Sequence, residues 1–298
     1  MKISIIIPAF NEETAIGEVI DDIQQVLEKE KIEGEVVVVD DGSSDRTAEI
    51  AAKRNVTLIR HPQNAGYGLS LRDGILKAKY NNICITDADG TYPVKSIPVL
   101  AKDMDAFDMV VGARQGKHFR GSYLKNPARL LFHALVQFAT GTKIPDANSG
   151  LRIFRRDKVL PFLNTLCHGF SFTTTITLGM LSRGYFVKYV PIEYYRRQGR
   201  SKVKIFRDSL RTTQIIIQAL MYYNPIKAVL PMVFGLGVGS LVCLGWYLTH
   251  IESIMSGIWS MLLFVGSVVI FVISLIADLM TAQHRDRESE KAKGGPGV

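Results

Sequence analysis

Ile3-Ser4-Ile5-Ile6-Ile7-Pro8, then Ile16, Val19, Ile20, Ile23 and Leu27 at helical spacing, then Glu35-Val36-Val37-Val38-Val39 closing on Asp40-Asp41, is the stretch that decides the fold. The two short runs of β-branched residues predict strands, and the periodic apolar positions between them predict a helix with one buried face. Strand, helix and strand in this order make a βαβ unit. Thr57 to Arg60, Ile83 to Thr86 and Met109 to Gly112 continue the strand series, with a helix expected from Leu69 to Ala78. The expected class is α/β, a mostly parallel, Rossmann-like sheet covered by helices.

In open sheets of this kind ligands sit beyond the carboxyl ends of the strands. Asn11-Glu12, Asp40-Asp41, Asp87-Ala88-Asp89 and Arg114 all fall there, so the site is expected among them. Asp87 and Asp89, one small residue apart after Ile83-Cys84-Ile85, can approach a divalent cation whose other ligands are phosphate oxygens. Mg2+ commonly takes only one or two protein carboxylates in this way. Taken alone, the same residues also suit a turn or cap at a strand end. Asn64-Ala65-Gly66-Tyr67-Gly68 reads as a tight loop before a helix at the same edge, able to help seat phosphate.

The last third changes character. Residues 228–248 and 257–277 contain no Asp, Glu, Lys, Arg or His, and about 20 helical residues cross a hydrocarbon core of ~30 Å. Two transmembrane helices are expected; a pair of buried soluble helices would ordinarily keep a polar stripe. Lys202, Lys204, Arg207, Arg211 and Lys227 precede the first stretch, Arg285, Arg287, Lys291 and Lys293 follow the second, and the connection from Thr249 to Ser256 has neither Lys nor Arg. Positive charge at both outer ends places both termini and the N-terminal domain in the cytoplasm, with the protein integral to the cytoplasmic membrane. Met1 to Ile7 is too short an apolar run for a signal peptide. Ile205 to Tyr223 reads as an amphipathic interfacial helix or as a connector packed on the soluble domain. Gly235 and Gly239 form a small-xxx-small pair through which a homo-oligomer can associate. From His284 the chain is charged and then Gly/Pro-rich, as expected of a flexible tail.

The formal net charge of +8 does not point to nucleic acid. The basic residues concentrate around the apolar stretches, where lipid headgroups and phosphorylated ligands attract them. Cys84, Cys167 and Cys243 have no paired or metal-type spacing and read as reduced packing residues. The histidines do not cluster, and neither Gly-x-Ser-x-Gly nor Gly-x-x-x-x-Gly-Lys-Ser/Thr occurs, which removes hydrolase and P-loop readings.

Ile5 to Glu13, Val37 to Thr47, and Thr86-Asp87-Ala88-Asp89-Gly90, in this order and spacing, resemble the family 2 glycosyltransferases, which have the GT-A fold and use a nucleotide-sugar donor. Gly112-Ala113-Arg114, Asp146 with Asn148 to Phe154, and Arg196 to Lys202 resemble the branch that glycosylates polyprenyl phosphates, including dolichol-phosphate mannose synthases. The resemblance covers residues 1–210. It implies that Pro8, Phe10, Glu12, Val39 and Asp41 hold the nucleoside, with Asp41 facing the base. It implies that Asp87, Ala88 and Asp89 form the metal and diphosphate loop for Mg2+ or Mn2+, Asp89 being the direct ligand. Arg196 and Lys202 match cationic contacts to the diphosphate, and Arg114 and Arg129 match arginines that receive the lipid phosphate, a task suited to a planar guanidinium fork. Arg129 taken alone also reads as a solvated surface residue.

Two positions depart from that pattern. Thr91 stands where dolichol-phosphate mannose synthases commonly have Gln, a better metal ligand, and Gly169 to Thr175 lacks the acidic residue of many relatives. A lipid monophosphate, anionic near neutral pH, needs no general base. The reaction implied is inverting transfer of a sugar, of the UDP-glucose or GDP-mannose type, to a polyprenyl phosphate, undecaprenyl or dolichyl, at the cytoplasmic membrane face. The alternatives are a processive polysaccharide synthase, for which no Gln-x-x-Arg-Trp motif is present, and a non-catalytic nucleotide-sugar-binding scaffold. The expected organisation is a GT-A domain over 1–204, a juxtamembrane helix over 205–225, a transmembrane hairpin over 226–279 and a tail over 280–298.

Overall fold

The computed structural model describes residues 1–116, 134, 137–138, 141–165, 172–195, 221, 225–250 and 253–293, the side chains of 164–165 and 284–293 excepted. The chain divides into two units, residues 1–216 and 217–298.

The first unit is built on seven strands: β1 (Lys2–Ala9), β2 (Glu33–Asp40), β3 (Thr57–Arg60), β4 (Asn82–Ile85), β5 (Met109–Gln115), β6 (Arg152–Arg155) and β7 (Val187–Glu193). They lie in the order β3-β2-β1-β4-β6-β5-β7. All neighbours are parallel except β6, which is antiparallel to both β4 and β5. The helices are α1 (Ile16–Lys29), α2 (Thr47–Ala52), α3 (Tyr67–Lys77), α4 (Ile97–Lys102), α5 (Arg156–Val159) and α6 (Phe172–Ser182).

Alternation along the strands sorts the core into two layers. Ile3, Ile5 and Ile7 of β1 with Val36 and Val38 of β2 pack against the single apolar face of α1, Ile16, Val19, Ile20, Ile23 and Leu27. Ile6, Val37, Val39, Ile83 and Ile85 point the other way, onto Leu71 and Ile75 of α3 and Phe172, Ile176 and Met180 of α6. Each such side chain contributes about 1.5–3 kcal/mol by leaving water. A sheet buried on both faces is what makes β1 and β2 continuous apolar runs.

The five expected strands are present, as are the helices expected around Ile16 to Leu27, Leu69 to Ala78 and the two apolar stretches, with the strand ends displaced by up to three residues. Two strands were not anticipated. In β7, Pro191 cannot donate to a ladder, and the strand occupies the sheet edge, where this is tolerated. In β6 the antiparallel direction follows from its pairing with β4, Ile85 opposite Arg152 and Asn82 opposite Arg155. The chain therefore enters β6 at the edge where β4 ends, which brings Asp146 to Leu151 beside Asp87.

The second unit contains α7 (Pro225–Thr249) and α8 (Ile254–Lys293). Pro225–Thr249 and Ile254–Gln283 are long and apolar enough to cross a membrane, with mean hydropathies of 2.1 and 2.7. Large apolar side chains such as Phe234, Leu241 and Met261 face outward, while serines line the seam between the helices. Ser240 Oγ donates to the Ser260 carbonyl at 2.8 Å, Ser260 Oγ returns a bond to the Ser240 carbonyl at 2.9 Å, and Ser267 Oγ donates to the Val233 carbonyl at 3.1 Å. Seven residues forward on α8 answer seven residues back on α7, the period of close antiparallel helix packing. A side chain at Gly239 would touch Leu263, whereas Gly235 has open space around it. The flexible tail expected from His284 is corrected: α8 continues to Lys293. Its Arg, Glu, Lys and Ala residues are good helix formers, and extending an existing helix avoids the cost of nucleation.

Candidate active site

The sheet delivers the expected motifs to one edge. Pro8, Phe10, Glu12, Asp41, Asp87, Ala88, Asp89 and Arg114 line a single cavity of about 520 Å3. Val39 does not; it is fully buried in the layer under α3 and supports the pocket from behind. Arg129, Arg196 and Lys202 lie outside the described residues, as does most of the expected interfacial helix.

One part of the cavity wall is built around Asp41. Its carboxylate accepts the backbone N–H groups of Ala65 at 2.8 Å and Gly66 at 2.9 Å, and His61 Nδ1 lies 2.8 Å away. The other ring nitrogen of His61 is 3.2 Å from Asp73. Asp41 thus fastens the Asn64 to Gly68 loop to the end of β2, and Asn64, Gly66 and Tyr67 become pocket wall. Opposite this loop Asn11 adopts a left-handed conformation, φ 53°, which Asn tolerates better than most residues. Its side-chain oxygen accepts from the Ser44 N–H at 2.8 Å, and its own N–H donates to Ser43 Oγ at 2.9 Å.

The paired carboxylates are individually braced. Tyr67 Oη donates to Asp87 Oδ1 at 2.9 Å. Burial, with the charge of Asp87 added, holds the Tyr67 phenol well above its ordinary range, so it stays a donor at neutral pH. Asp89 is buried, and its Oδ1 accepts from Thr91 Oγ1 at 2.6 Å and from the Thr91 N–H at 3.1 Å. Thr91, expected to be a poor metal ligand, braces the Asp89 carboxylate beside it. Among the described residues no group of three or more His, Cys, Asp or Glu is arranged to hold a metal. Asp87 and Asp89 in one cavity still fit Mg2+ or Mn2+ held mostly by phosphate and water, since such ions need few protein carboxylates.

In the same cavity Arg114 is clamped. Its Nε and Nη2 donate to the two oxygens of Asp146 at 2.7 and 2.9 Å, and its guanidinium lies 5.4 Å over the Tyr194 ring. Burial works against this cation, but nearby Tyr92 and Asp146 outweigh it and hold its pKa above the ordinary value. Gly150 donates its N–H to Tyr92 Oη at 2.6 Å, and Tyr92 packs edge-on to Tyr194. Behind the loop Arg152 is fully buried. It donates to the carbonyls of Ala147, Ser149 and Thr173 and to Thr177 Oγ1, at 2.5 to 3.3 Å.

Ser70, Tyr92, Asn148, Gly150 and Thr173 also line it without having been given roles from sequence. The turn-forming Asp146-Ala147-Asn148-Ser149-Gly150 ahead of an apolar run was a usable signal for the loop. Tyr92 had none, because an isolated tyrosine carries no spacing information.

Residues 4–160 match the glycosyl transferase family 2 model. The chain belongs to the family 2 glycosyltransferases, and it is a glycosyltransferase. It is 32% identical over 222 residues to a dolichyl-phosphate hexose transferase of Haloferax volcanii, covering 74% of this chain and 94% of that one. It is 31% identical over 225 residues to the low-salt glycan biosynthesis hexosyltransferase Agl6 of the same organism, covering 72% of this chain and 53% of the relative, about half its length. The fold is also that of glucosyl-3-phosphoglycerate synthase from Mycobacterium tuberculosis, solved with Mn2+, UDP-glucose and phosphoglyceric acid. The TM-score is 0.60 at 19% identity, covering 74% of this chain and 79% of the other.

Proposed function

We propose that this chain transfers a hexose from a nucleotide sugar to a polyprenyl phosphate at a membrane face. The observation that carries the reading is one cavity lined by Asp87, Asp89 and the Arg114 that Asp146 clamps, in a chain that also has two membrane-length helices. The dolichyl-phosphate hexose transferase of Haloferax volcanii supports the acceptor class. The organisation proposed is a catalytic domain over 1–204, a juxtamembrane helix over 205–225, a hairpin over 226–279 and a terminal segment over 280–298, with the catalytic domain and both termini cytoplasmic. Self-association through the exposed side of α7 near Gly235 accompanies this layout.

In the mechanism, Pro8, Phe10, Glu12 and the Asp41-anchored loop seat the nucleoside. Asp87 and Asp89 orient the diphosphate and would hold Mg2+ or Mn2+, which when bound neutralises charge developing on the leaving diphosphate. Arg196 and Lys202 add positive charge at the same group. Arg114 and Arg129 orient the acceptor phosphate. An oxygen of that phosphate attacks the anomeric carbon, the bond from that carbon to the diphosphate oxygen breaks, and configuration inverts. The acceptor oxygen is already anionic, so no side chain has to remove a proton.

The test is to mix the full chain in lipid with a polyprenyl phosphate and UDP- and GDP-hexoses, with Mg2+, Mn2+ or chelator, and to measure glycolipid and released nucleoside diphosphate. Metal-dependent glycolipid that disappears in Asp89→Ala supports the reading. Unchanged turnover in Asp89→Ala, or nucleotide binding with no glycolipid from any donor, defeats it.

A further inference from the structure

From Asp146 to Leu151 five of six residues are buried, and Asn148 alone is exposed. The loop is fixed from every side. The Asn148 N–H donates to Asp146 Oδ1 at 3.1 Å, Ser149 Oγ to the Gly112 carbonyl at 2.5 Å, Gly150 N–H to Tyr92, and Arg152 holds the carbonyls of Ala147 and Ser149. The side chain is fixed as well: Thr174 Oγ1 donates to Asn148 Oδ1 at 2.5 Å. With the oxygen on Thr174, the amide nitrogen is the other end of this exposed side chain. Among the described residues nothing accepts from it, although Asn148 lines the cavity.

The position along the loop gives this donor a meaning. At one end Asp146 carries Arg114, the group proposed to receive the acceptor phosphate. At the other, Gly150 lies against Asp87, the group proposed at the donor diphosphate, so closely that a Cβ would sit 2.8 Å from its oxygens. The transferred sugar must lie between leaving group and acceptor, the interval that Asn148 occupies. We infer that Asn148 reads the transferred sugar, its Nδ2 donating to a sugar hydroxyl, with Thr174 fixing the amide orientation. This rests on the donor reading above and adds to it a specificity-determining residue. A fixed amide donor left without its hydroxyl partner penalises the wrong sugar, a stronger filter than apolar shape alone.

Calorimetric titration of the full chain in lipid, with Mn2+ and with UDP, GDP, UDP-glucose and GDP-mannose as probes, separates the possibilities. Asn148→Ala is expected to bind the preferred nucleoside diphosphate within twofold of the unsubstituted chain and its sugar conjugate about tenfold more weakly. Thr174→Val should show the same pattern, smaller, and deoxy-sugar donors should lose the same increment against the unsubstituted chain. Equal weakening of diphosphate and conjugate in Asn148→Ala, or no weakening of either, overturns the inference while leaving the donor reading intact. Failure of the unsubstituted chain to bind any of the four nucleotides overturns both.

Discussion

Gly150 lies face to face with the carboxylate of Asp87, leaving no room for even a methyl group: a Cβ there would come within 2.8 Å of both oxygens. Gly150→Ala should therefore push Asp87 off its bond with Tyr67. Turnover is expected to fall at least tenfold, with a melting temperature close to that of the unsubstituted chain because the strain falls on one partly buried carboxylate. Nucleoside diphosphate release within twofold of the original would show that the position of Asp87 does not matter.

Thr91 supplies two hydrogen bonds to Asp89. Thr91→Val keeps the shape and the backbone bond but removes the hydroxyl. Groups that orient a metal ligand are typically worth ~10–100-fold in metal affinity or activity. The Mn2+ concentration for half-maximal turnover should rise within that range, and Thr91→Ser should restore it. An unaltered metal dependence in Thr91→Val would remove the bracing role.

Arg152 is a buried cation held by neutral oxygens, and its burial depresses its pKa. Arg152→Met fills similar space and leaves the carbonyls of Ala147, Ser149 and Thr173 without their donor. An unsatisfied buried acceptor costs about 1–3 kcal/mol, so thermal unfolding of the soluble unit should begin several degrees earlier. A melt identical to that of the parent chain would mean the loop is held by its other contacts.

Asp21 and Arg54 form a bidentate pair at 2.7 and 2.8 Å between α1 and the end of α2. The Arg54 hydrogen bond lowers the Asp21 pKa from its ordinary value. A depressed carboxylate contributes stability above its unfolded pKa, and that contribution is lost as pH falls through the lower folded value. Asp21 is 47% exposed, so screening limits the pair to about 0.5 kcal/mol. Asp21→Asn should melt slightly earlier at pH 7, and the deficit should vanish in strong acid. A deficit independent of pH would place the effect in packing instead.

Much of this was legible because parallel strands buried on both faces leave an unmistakable apolar signature, and because β1, β2 and β4 end directly in their polar motifs. Arg152 was not. A charge between Leu151 and Ile153 ordinarily marks a solvent-facing strand position, and only the antiparallel insertion of β6 turns it inward over the loop. Asp41 was legible as a site residue, but its bonds to Ala65 and Gly66 join segments far apart in sequence. Thr91 was read only as a shorter, poorer metal ligand than Gln; its bonds to Asp89 were not legible, since sequence shows what a position holds and not which neighbour it serves. Val39 lay in the right motif, yet strand alternation turns it into the core.

The reversed direction of β6 has a further consequence. β5 leaves the sheet at the carboxyl edge after Gln115, and β6 re-enters from that same edge at Arg152, the two strands hydrogen-bonded to each other. The connection therefore begins and ends on one edge of the sheet, and Asn148 and Gly150 near its end line the cavity. The ladder between β5 and β6 is closed by the two strands themselves, so their register does not depend on the length of chain that joins them. Exchange of a relative's loop at positions 146–151 would keep the sheet but would alter the contacts to Arg114 and to Asp87 together.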